Sequence, residues 1–197
     1  DKDKLDVQLV QFANLFKDGK KVKMSTRSGE FYSLRDLIQD IGTDAARFYY
    51  LSKQADQHLD FDLNLATSDS KENMFYYIQY AHARIFSLIK KYKASNTEIP
   101  VSPDSIIDGS YKQCDKLIHE ISRYPSIVKR SSTSLHPHLI IFYLKDLAHI
   151  FHSFYNDNPV LTETQDNLNS IILCLGAVKS VIANGLELLG IEPMEKM

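Results

Sequence analysis

The chain contains few of the residues that build disulfide frameworks, metal sites and glycine-rich phosphate loops. Among its 197 residues are two cysteines, Cys114 and Cys174, which lie far apart and predict reduced packing residues. Only seven glycines occur, and no glycine-rich turn links a strand to a helix. No apolar run approaches the roughly 18 residues that span a bilayer, and no export segment follows the charged start. We therefore expect a cytoplasmic chain without a metal site or a membrane partner.

Charge is nearly balanced, with a net value of −2, which argues against nucleic-acid binding over the whole surface. Residues 71–93 are different, because they carry five lysine or arginine residues, one glutamate and six aromatic residues. Cations pair with phosphates and aromatic rings stack on unpaired bases, so this combination is typical of single-stranded RNA recognition. The alternative is a buried aromatic stripe with solvated lysines at its end.

The first part of the chain predicts a β-hairpin. Residues 7–16 are rich in β-formers, Asp18-Gly19 is a strong turn signal, and residues 21–24 form the returning strand. A lone hairpin is marginal in water. We therefore expect the chain to begin inside a sheet whose other strands are missing.

The remainder predicts helices. Ser33 caps a short helix that Gly42 closes, and Thr43 caps a second one. Apolar residues at helical spacing then predict an antiparallel bundle, with helices at about 72–93, 110–123, 126–131, 137–156 and 163–189. The expected fold is mostly α, with a β-hairpin and connecting helices in residues 1–67 and a helical bundle in residues 68–197.

Two other residue patterns favour structural interpretations. Two histidine pairs could each share a helix face, but no carboxylate or thiolate completes a metal-ligand set; the pairs are His136 with His138 and His149 with His152. Asp60 and Asp62 flank Phe61 in an alternating segment, which favours one solvated strand face over an acid–base pair.

Two local motifs suggest chemistry. The first is Lys23-Met24-Ser25-Thr26-Arg27-Ser28-Gly29, where an ammonium, hydroxyls and backbone donors can surround ATP phosphates, although a plain surface turn is the alternative. The second is Tyr77-Ile78-Gln79-Tyr80-Ala81-His82-Ala83-Arg84. Its spacings of three, four and seven place Tyr77, Tyr80 and Arg84 on one helix face.

Taken in order, with Asp44-Ala45-Ala46-Arg47 between them, these motifs resemble the C-terminal half of class I arginyl-tRNA synthetases. The first resembles that family's Lys-Met-Ser-Lys-Ser loop, with Thr26 in place of the second lysine, which implies that Lys23 and Ser25 contact ATP. The intervening segment resembles the Asp-Ala-Leu-Arg signature of the family's anticodon-binding domain. We expect Asp44 and Arg47 to be structural residues that hold the junction between the loop region and the bundle.

The resemblance also implies an RNA site. Tyr77, Tyr80 and Arg84 correspond to tRNA-facing positions, Tyr155 lies where a family aromatic stacks beside the anticodon loop, and Met197 approaches an anticodon base. The implied function is recognition of tRNA(Arg) within an arginine–tRNA ligase that uses arginine and ATP, with Mg²⁺ expected. A non-enzymatic helical protein-interaction module is the alternative.

The resemblance further implies that catalysis needs residues not present in this sequence. Class I synthetases carry a His-Ile-Gly-His motif on a Rossmann core, and this motif does not occur here. Because half a site cannot assemble the reacting geometry, we expect the chain to need the missing N-terminal catalytic half. Alone it should be an inactive monomer that binds no cofactor.

Overall fold

The structure, a computed structural model, describes Leu5 and residues 7–22, 32–95, 112–158 and 165–197. The predicted ATP-contacting residues Lys23 and Ser25, together with Thr26, lie outside the described residues.

A three-stranded sheet organises the N-terminal part. β1 (Ala13–Lys17) and β2 (Lys20–Lys21) form an antiparallel hairpin, while β3 (Leu59–Asp62) pairs in parallel with β1, giving the order β2-β1-β3. Asp18 and Gly19 both have positive φ, as a tight two-residue turn requires. The predicted hairpin and its turn are confirmed, but the first strand begins at Ala13 and not at residue 7, and the returning strand is Lys20–Lys21. The chain itself supplies a third strand whose pairing the sequence pattern does not predict.

The alternating pattern of β3 orients its side chains. Phe61 is fully buried, whereas Asp60 and Asp62 are exposed on the opposite face, as predicted. Asp60 accepts a hydrogen bond from the Asn14 side chain at 2.8 Å. Asp62 caps the short helix α3 (Leu63–Ala66) by accepting from the backbone N–H of Asn64 at 2.9 Å. Both carboxylates therefore have structural roles.

Two helices connect the strands. α1 (Leu34–Ile41) begins at a reciprocal cap, in which Ser33 accepts from the backbone of Asp36 and donates to its carboxylate. α2 (Thr43–Leu51) follows at once, and Gly42, with φ +84°, both ends α1 and caps α2. The prediction that Thr43 caps α2 is wrong, because Thr43 is already the first helical residue and no side chain caps this end.

The remaining helices form the predicted bundle. They are α4 (Met74–Ser95), α5 (Asp115–Ser122), α6 (Tyr124–Ser134), α7 (His138–Asp157) and α8 (Gln165–Leu188), with a 3₁₀ turn at Lys112–Cys114 before α5. α4 packs against both α7 and α8, while α7 also covers α5 and α6. Fully buried apolar side chains fill the centre, among them Ile78, Ile85, Ile141, Leu144, Phe151, Ile172 and Leu175. The mostly α fold is confirmed.

The last helix, α8, is apolar because it is a core element of the bundle. By length and composition Asn167–Leu188 could cross a membrane, with a mean hydropathy of 1.7. The prediction that no segment is apolar enough to span a bilayer is therefore wrong when the segment is judged by its mean hydropathy. Buried side chains on α8 contact α4 and α5, which accounts for the composition without a bilayer.

The two cysteines are buried free thiols. Although they lie 60 positions apart in the sequence, both thiols belong to the same buried cluster, Cys114 in the 3₁₀ turn and Cys174 on α8. The neighbouring Cys114 thiol, and then burial, raise the pKa of the Cys174 thiol. The predicted packing role is confirmed, and the proximity of the two thiols is an additional finding.

Candidate nucleic-acid interface

Four side chains on one face of α4 form an aromatic ridge, which we define as Tyr76, Tyr77, Tyr80 and Arg84. α4 begins where it does because Asn73 accepts a hydrogen bond from the backbone of Tyr76 at 3.2 Å. The Tyr76 and Tyr80 rings, one helical turn apart, are nearly parallel with centroids 5.9 Å apart. Tyr80 is 36% exposed. The ridge therefore offers a ring to solvent that is already held in place by another ring.

The ridge forms one wall of an open cleft of about 910 Å³. The opposite wall comes from α7, which contributes Lys145, Asp146, His149, His152, Ser153 and Asn156. The turn before α4 closes one end with Asp69, Lys71 and Glu72. A cleft of this size with aromatic and polar walls can hold a planar group against the Tyr80 ring.

Arg84 joins the two walls. Its guanidinium carbon lies 3.8 Å from the centroid of the Tyr155 ring on α7 and 5.5 Å from that of Tyr80. A planar guanidinium stacks on aromatic faces and keeps its N–H edge directed outward in the plane. Of the predicted RNA-contacting residues, the structure brings together Tyr77, Tyr80, Arg84 and Tyr155.

His152 lies beneath the ridge and is only 8% exposed. Its ring centroid is 5.6 Å from that of Tyr80, with the planes 19° apart, and 4.6 Å from that of Tyr77. Its Nε2 lies 3.4 Å from the Tyr77 carbonyl. Burial, with the nearby charges of Arg84 and Lys71, lowers the pKa of this imidazole. The neutral His152 ring therefore packs against Tyr80, as the Tyr76 ring does.

The second histidine of this pair also contacts the ridge. His149 Nδ1 lies 3.4 Å from the Tyr77 hydroxyl. Within the described ranges, no group of three or more His, Cys, Asp or Glu side chains could hold a metal ion. The spacing of three places both imidazoles on the face of α7 that meets tyrosines of α4. Helical periodicity could have predicted this contact only if the pairing of α4 with α7 had been known.

The charge of the cleft is mixed. Lys71, Lys145 and Arg84 are balanced by the carboxylates of Asp69, Glu72 and Asp146. The other lysines of the basic segment lie at the far end of α4, and Lys90 is about 15 Å along the axis from Tyr80 at 1.5 Å per residue. Stacking is therefore the main interaction that the cleft offers, and the cations of the lysine end lie outside it.

Met197 lies apart from the cleft. It is 53% exposed and does not line the cleft walls. It ends the C-terminal tail, which we define as residues 189–197 and which follows α8 along another face of α4. Met197 is thus the one predicted RNA-contacting residue that the structure does not bring into the cluster.

Asp44 and Arg47 hold this tail. The Asp44 carboxylate accepts a hydrogen bond from the Glu192 backbone at 3.0 Å. Gly190 has φ +70°, and a Cβ there would lie 2.5 Å from the Arg47 guanidinium. Asp44 thus has a structural contact with the tail, and Arg47 packs beside the tail at Gly190. The loop that both residues were expected to hold lies outside the described residues, so that part of the prediction stays a prediction.

Comparison with known proteins identifies the class to which this fold and cleft belong. A family model described as the DALR anticodon binding domain matches residues 78–197, and the chain belongs to this family. The chain is 45% identical over 197 residues to an arginine–tRNA ligase of Nitrosospira multiformis. It is 44% identical over 199 residues to that of Coxiella burnetii. These matches cover 100% and 99% of the chain but 34% of each relative, so the chain spans about a third of their length.

Solved structures agree with this assignment. A Campylobacter jejuni protein assigned as an arginyl-tRNA synthetase is 32% identical with a TM-score of 0.83, over 96% of this chain and 40% of that one. The Thermus thermophilus arginyl-tRNA synthetase shares the fold, with a TM-score of 0.74 and 22% identity over 93% of this chain and 34% of that one. The resemblance stated from the sequence motifs is confirmed.

Proposed function

We propose that the chain is the tRNA-recognition part of an arginine–tRNA ligase, and that the aromatic ridge with the facing side of α7 contacts the anticodon arm of tRNA(Arg). The observation that carries the proposal is the Tyr80 ring, which is 36% exposed at the cleft and packs beside the nearly parallel rings of Tyr76 and His152. Membership of the DALR anticodon-binding family supports it.

The cleft suits an unpaired base. Because the Tyr80 ring is supported by its neighbours, a base that stacks on it does not pay the entropy of ordering a free side chain. The Arg84 guanidinium, stacked on the Tyr155 ring, supplies a second planar surface at the same rim, with hydrogen-bond donors in its plane. The mixed charge of the cleft favours a base over a phosphate group.

The whole protein is proposed to attach arginine to tRNA(Arg) with ATP in the cytoplasm, and to be a monomer. Its relatives are arginine–tRNA ligases about three times as long as this chain. Lys23 and Ser25 are proposed to contact ATP, with Mg²⁺ balancing phosphate charge. Since the sequence has no His-Ile-Gly-His motif, the chain alone should give no arginine-dependent pyrophosphate exchange above a no-protein control.

Binding measurements test the RNA site. The chain should bind tRNA(Arg) more tightly than a tRNA with another anticodon, and Tyr80→Ala should remove most of that preference. Tyr50→Ala is a matched control, because Tyr50 is similarly exposed, at 44%, but does not line the cleft. Equal affinity of the unmodified chain for both tRNAs would contradict the proposed function and favour the protein-interaction module.

A further inference from the structure

The C-terminal tail is attached to α4 on a face that the RNA prediction does not use. Gln79 and His82 make the attachment, and each stands two residues from a ridge member, Tyr77 or Arg84. At 3.6 residues per turn, positions two apart point in nearly opposite directions. The ridge therefore lies between α7 on one side of α4 and the tail on the other.

The Gln79 side chain pairs with the tail as a peptide group would. Its Nε2 donates to the Glu192 carbonyl at 2.8 Å, and its Oε1 accepts from the Met194 N–H at 2.9 Å. The side chain is fully buried. A buried primary amide is costly unless both its ends are bonded, so these two bonds fix the register of the tail to a single residue.

His82 provides the next bond. Its Nδ1 lies 2.7 Å from the Met194 carbonyl, and the residue is 3% exposed. A carbonyl can only accept, so the proton resides on Nδ1. Burial lowers the pKa of this imidazole, and the ring is neutral at pH 7.

Asp44, on α2, accepts the fourth of these hydrogen bonds from the tail. It accepts from the Glu192 N–H, while Gln79 donates to the carbonyl of the same residue. Ile191, just before, is 2% exposed in the bundle core. Side chains from two helices thus hold the tail through residue 194.

We propose that Gln79, His82 and Asp44 are positioning residues that hold the C-terminal tail as a second flank of the RNA interface beside the aromatic ridge. This rests on the proposed function. None of the three needs to touch RNA. Each acts by fixing the tail backbone, so that its last residues meet the RNA that stacks on Tyr80.

Isosteric variants of His82 separate positioning from packing. His82→Asn keeps an N–H donor near the Nδ1 position, whereas His82→Gln moves the donor toward the Nε2 position. We expect His82→Gln to speed hydrogen exchange at the Glu192 and Met194 amides and to weaken tRNA(Arg) binding, each by about tenfold, as expected for about one lost hydrogen bond. His82→Asn should stay within about threefold of the parent in both. The salt dependence of binding should not change, because no phosphate contact is lost.

Met194→Pro provides a test that leaves α4 untouched. It removes the N–H from which Gln79 accepts, together with the Met194 side chain. The thermal midpoint should fall, because the buried Gln79 oxygen loses its partner, and tRNA(Arg) affinity measured well below the midpoint should fall by about tenfold. This variant decides the matter if His82→Gln does not fold.

The possible results are distinct. Faster exchange at the tail with parent-like tRNA(Arg) affinity would overturn the proposal, as would unchanged exchange at the Glu192 amide in both His82→Gln and Met194→Pro. Equal loss of affinity in His82→Asn and His82→Gln would also overturn it, since donor position would then not matter. If the unmodified chain shows no preference for tRNA(Arg), the proposed function fails, and the further inference fails with it even where exchange shows that the tail is held.

Discussion

The Arg84 guanidinium carbon lies 3.8 Å from the centre of the Tyr155 ring, so one cation on α4 is stacked on one aromatic ring of α7. The motif on α4 and the last turn of α7 are 71 residues apart in sequence, yet they share one rim of the cleft. A stacked guanidinium has a fixed plane, which lysine could not reproduce.

Replacing Arg84 by lysine should therefore weaken tRNA(Arg) binding by about 1 kcal/mol, because the charge is kept but planar stacking is lost. The slope of affinity against salt should stay at the parent value. Arg84→Ala should lose at least as much affinity. Titrations at two salt concentrations measure both quantities, and parent-like binding of Arg84→Lys would show that stacking on Tyr155 does not contribute.

Replacing Tyr80 by alanine should cost about 1–3 kcal/mol of tRNA(Arg) affinity, the range for removal of a base-stacking ring. Because the ring is 36% exposed, the thermal midpoint should fall little. Tyr80→Phe, which keeps the ring, should bind like the parent. A large loss of thermal stability with binding lost only through unfolding would support a packing role instead.

Tyr77→Ala should behave differently from Tyr80→Ala, since Tyr77 is half-buried and its ring contacts His152. We expect loss of both affinity and thermal stability. Parallel melting and binding curves for the two variants check the difference. Parent-like folding and binding of the Tyr77, Tyr80 and Arg84 alanine variants would mean that the RNA site lies elsewhere.

Removing the exposed Lys90 should mainly flatten the salt dependence of binding. If this lysine pairs with one phosphate, Lys90→Ala should reduce the slope of log affinity against log salt by about one. The preference for tRNA(Arg) over another tRNA should persist, because Lys90 lies about 15 Å from Tyr80 along α4. A lost preference with an unchanged slope would contradict this division between the two ends of the helix.

Acid should destabilise the folded chain through its buried histidines. Burial lowers the pKa of His82, His138 and His152 from the ordinary value of 6.5. The unfolded chain then binds more protons than the folded chain, so the free energy of unfolding is highest above pH 6.5 and decreases as pH falls below it. Melting at pH 7.5, 6.5 and 5.5 should show a declining midpoint, and His152→Gln should make the decline shallower. An equally steep decline in that variant would contradict the assignment.

Gly190→Ala should lower stability by about 1–2 kcal/mol, because a φ of +70° is strained for other residues; the added Cβ would also lie 2.5 Å from the Arg47 guanidinium, which would have to move. Gly176→Ala is the matched control. It lies within α8 and a Cβ there meets nothing within 4 Å, so it should be neutral or stabilise the chain by up to about 1 kcal/mol. Thermal melts should show a lower midpoint for Gly190→Ala and an unchanged or higher midpoint for Gly176→Ala.

Local patterns predict the local structure well. The cap at Ser33, the turn at Asp18-Gly19 and the apolar stripe of α7 each depend on neighbours within a few residues, and all three are present. The clustering of Tyr155 with Arg84 was implied by the family resemblance, since spacing alone does not link two helices.

Long-range pairings could not be predicted from spacing. The parallel register of β1 with β3 depends on a crossover of more than 40 residues, and the bond of Gln79 to the tail joins residues 113 apart. His152 has the same sequence pattern as a metal-ligand candidate, and only its packing against Tyr77 and Tyr80 shows another role. The ATP contacts of Lys23 and Ser25, and the division at residue 67, stay predictions.

The helix α2 belongs to two hydrophobic cores at once. Ala45 and Phe48 are buried with the bundle, whereas Ala46 is buried with the sheet and α3. The sheet part therefore cannot swing against the bundle as two lobes do about a flexible hinge, because such a motion would pull α2 out of one core. The orientation of α4, which packs against α2, is therefore fixed relative to the sheet.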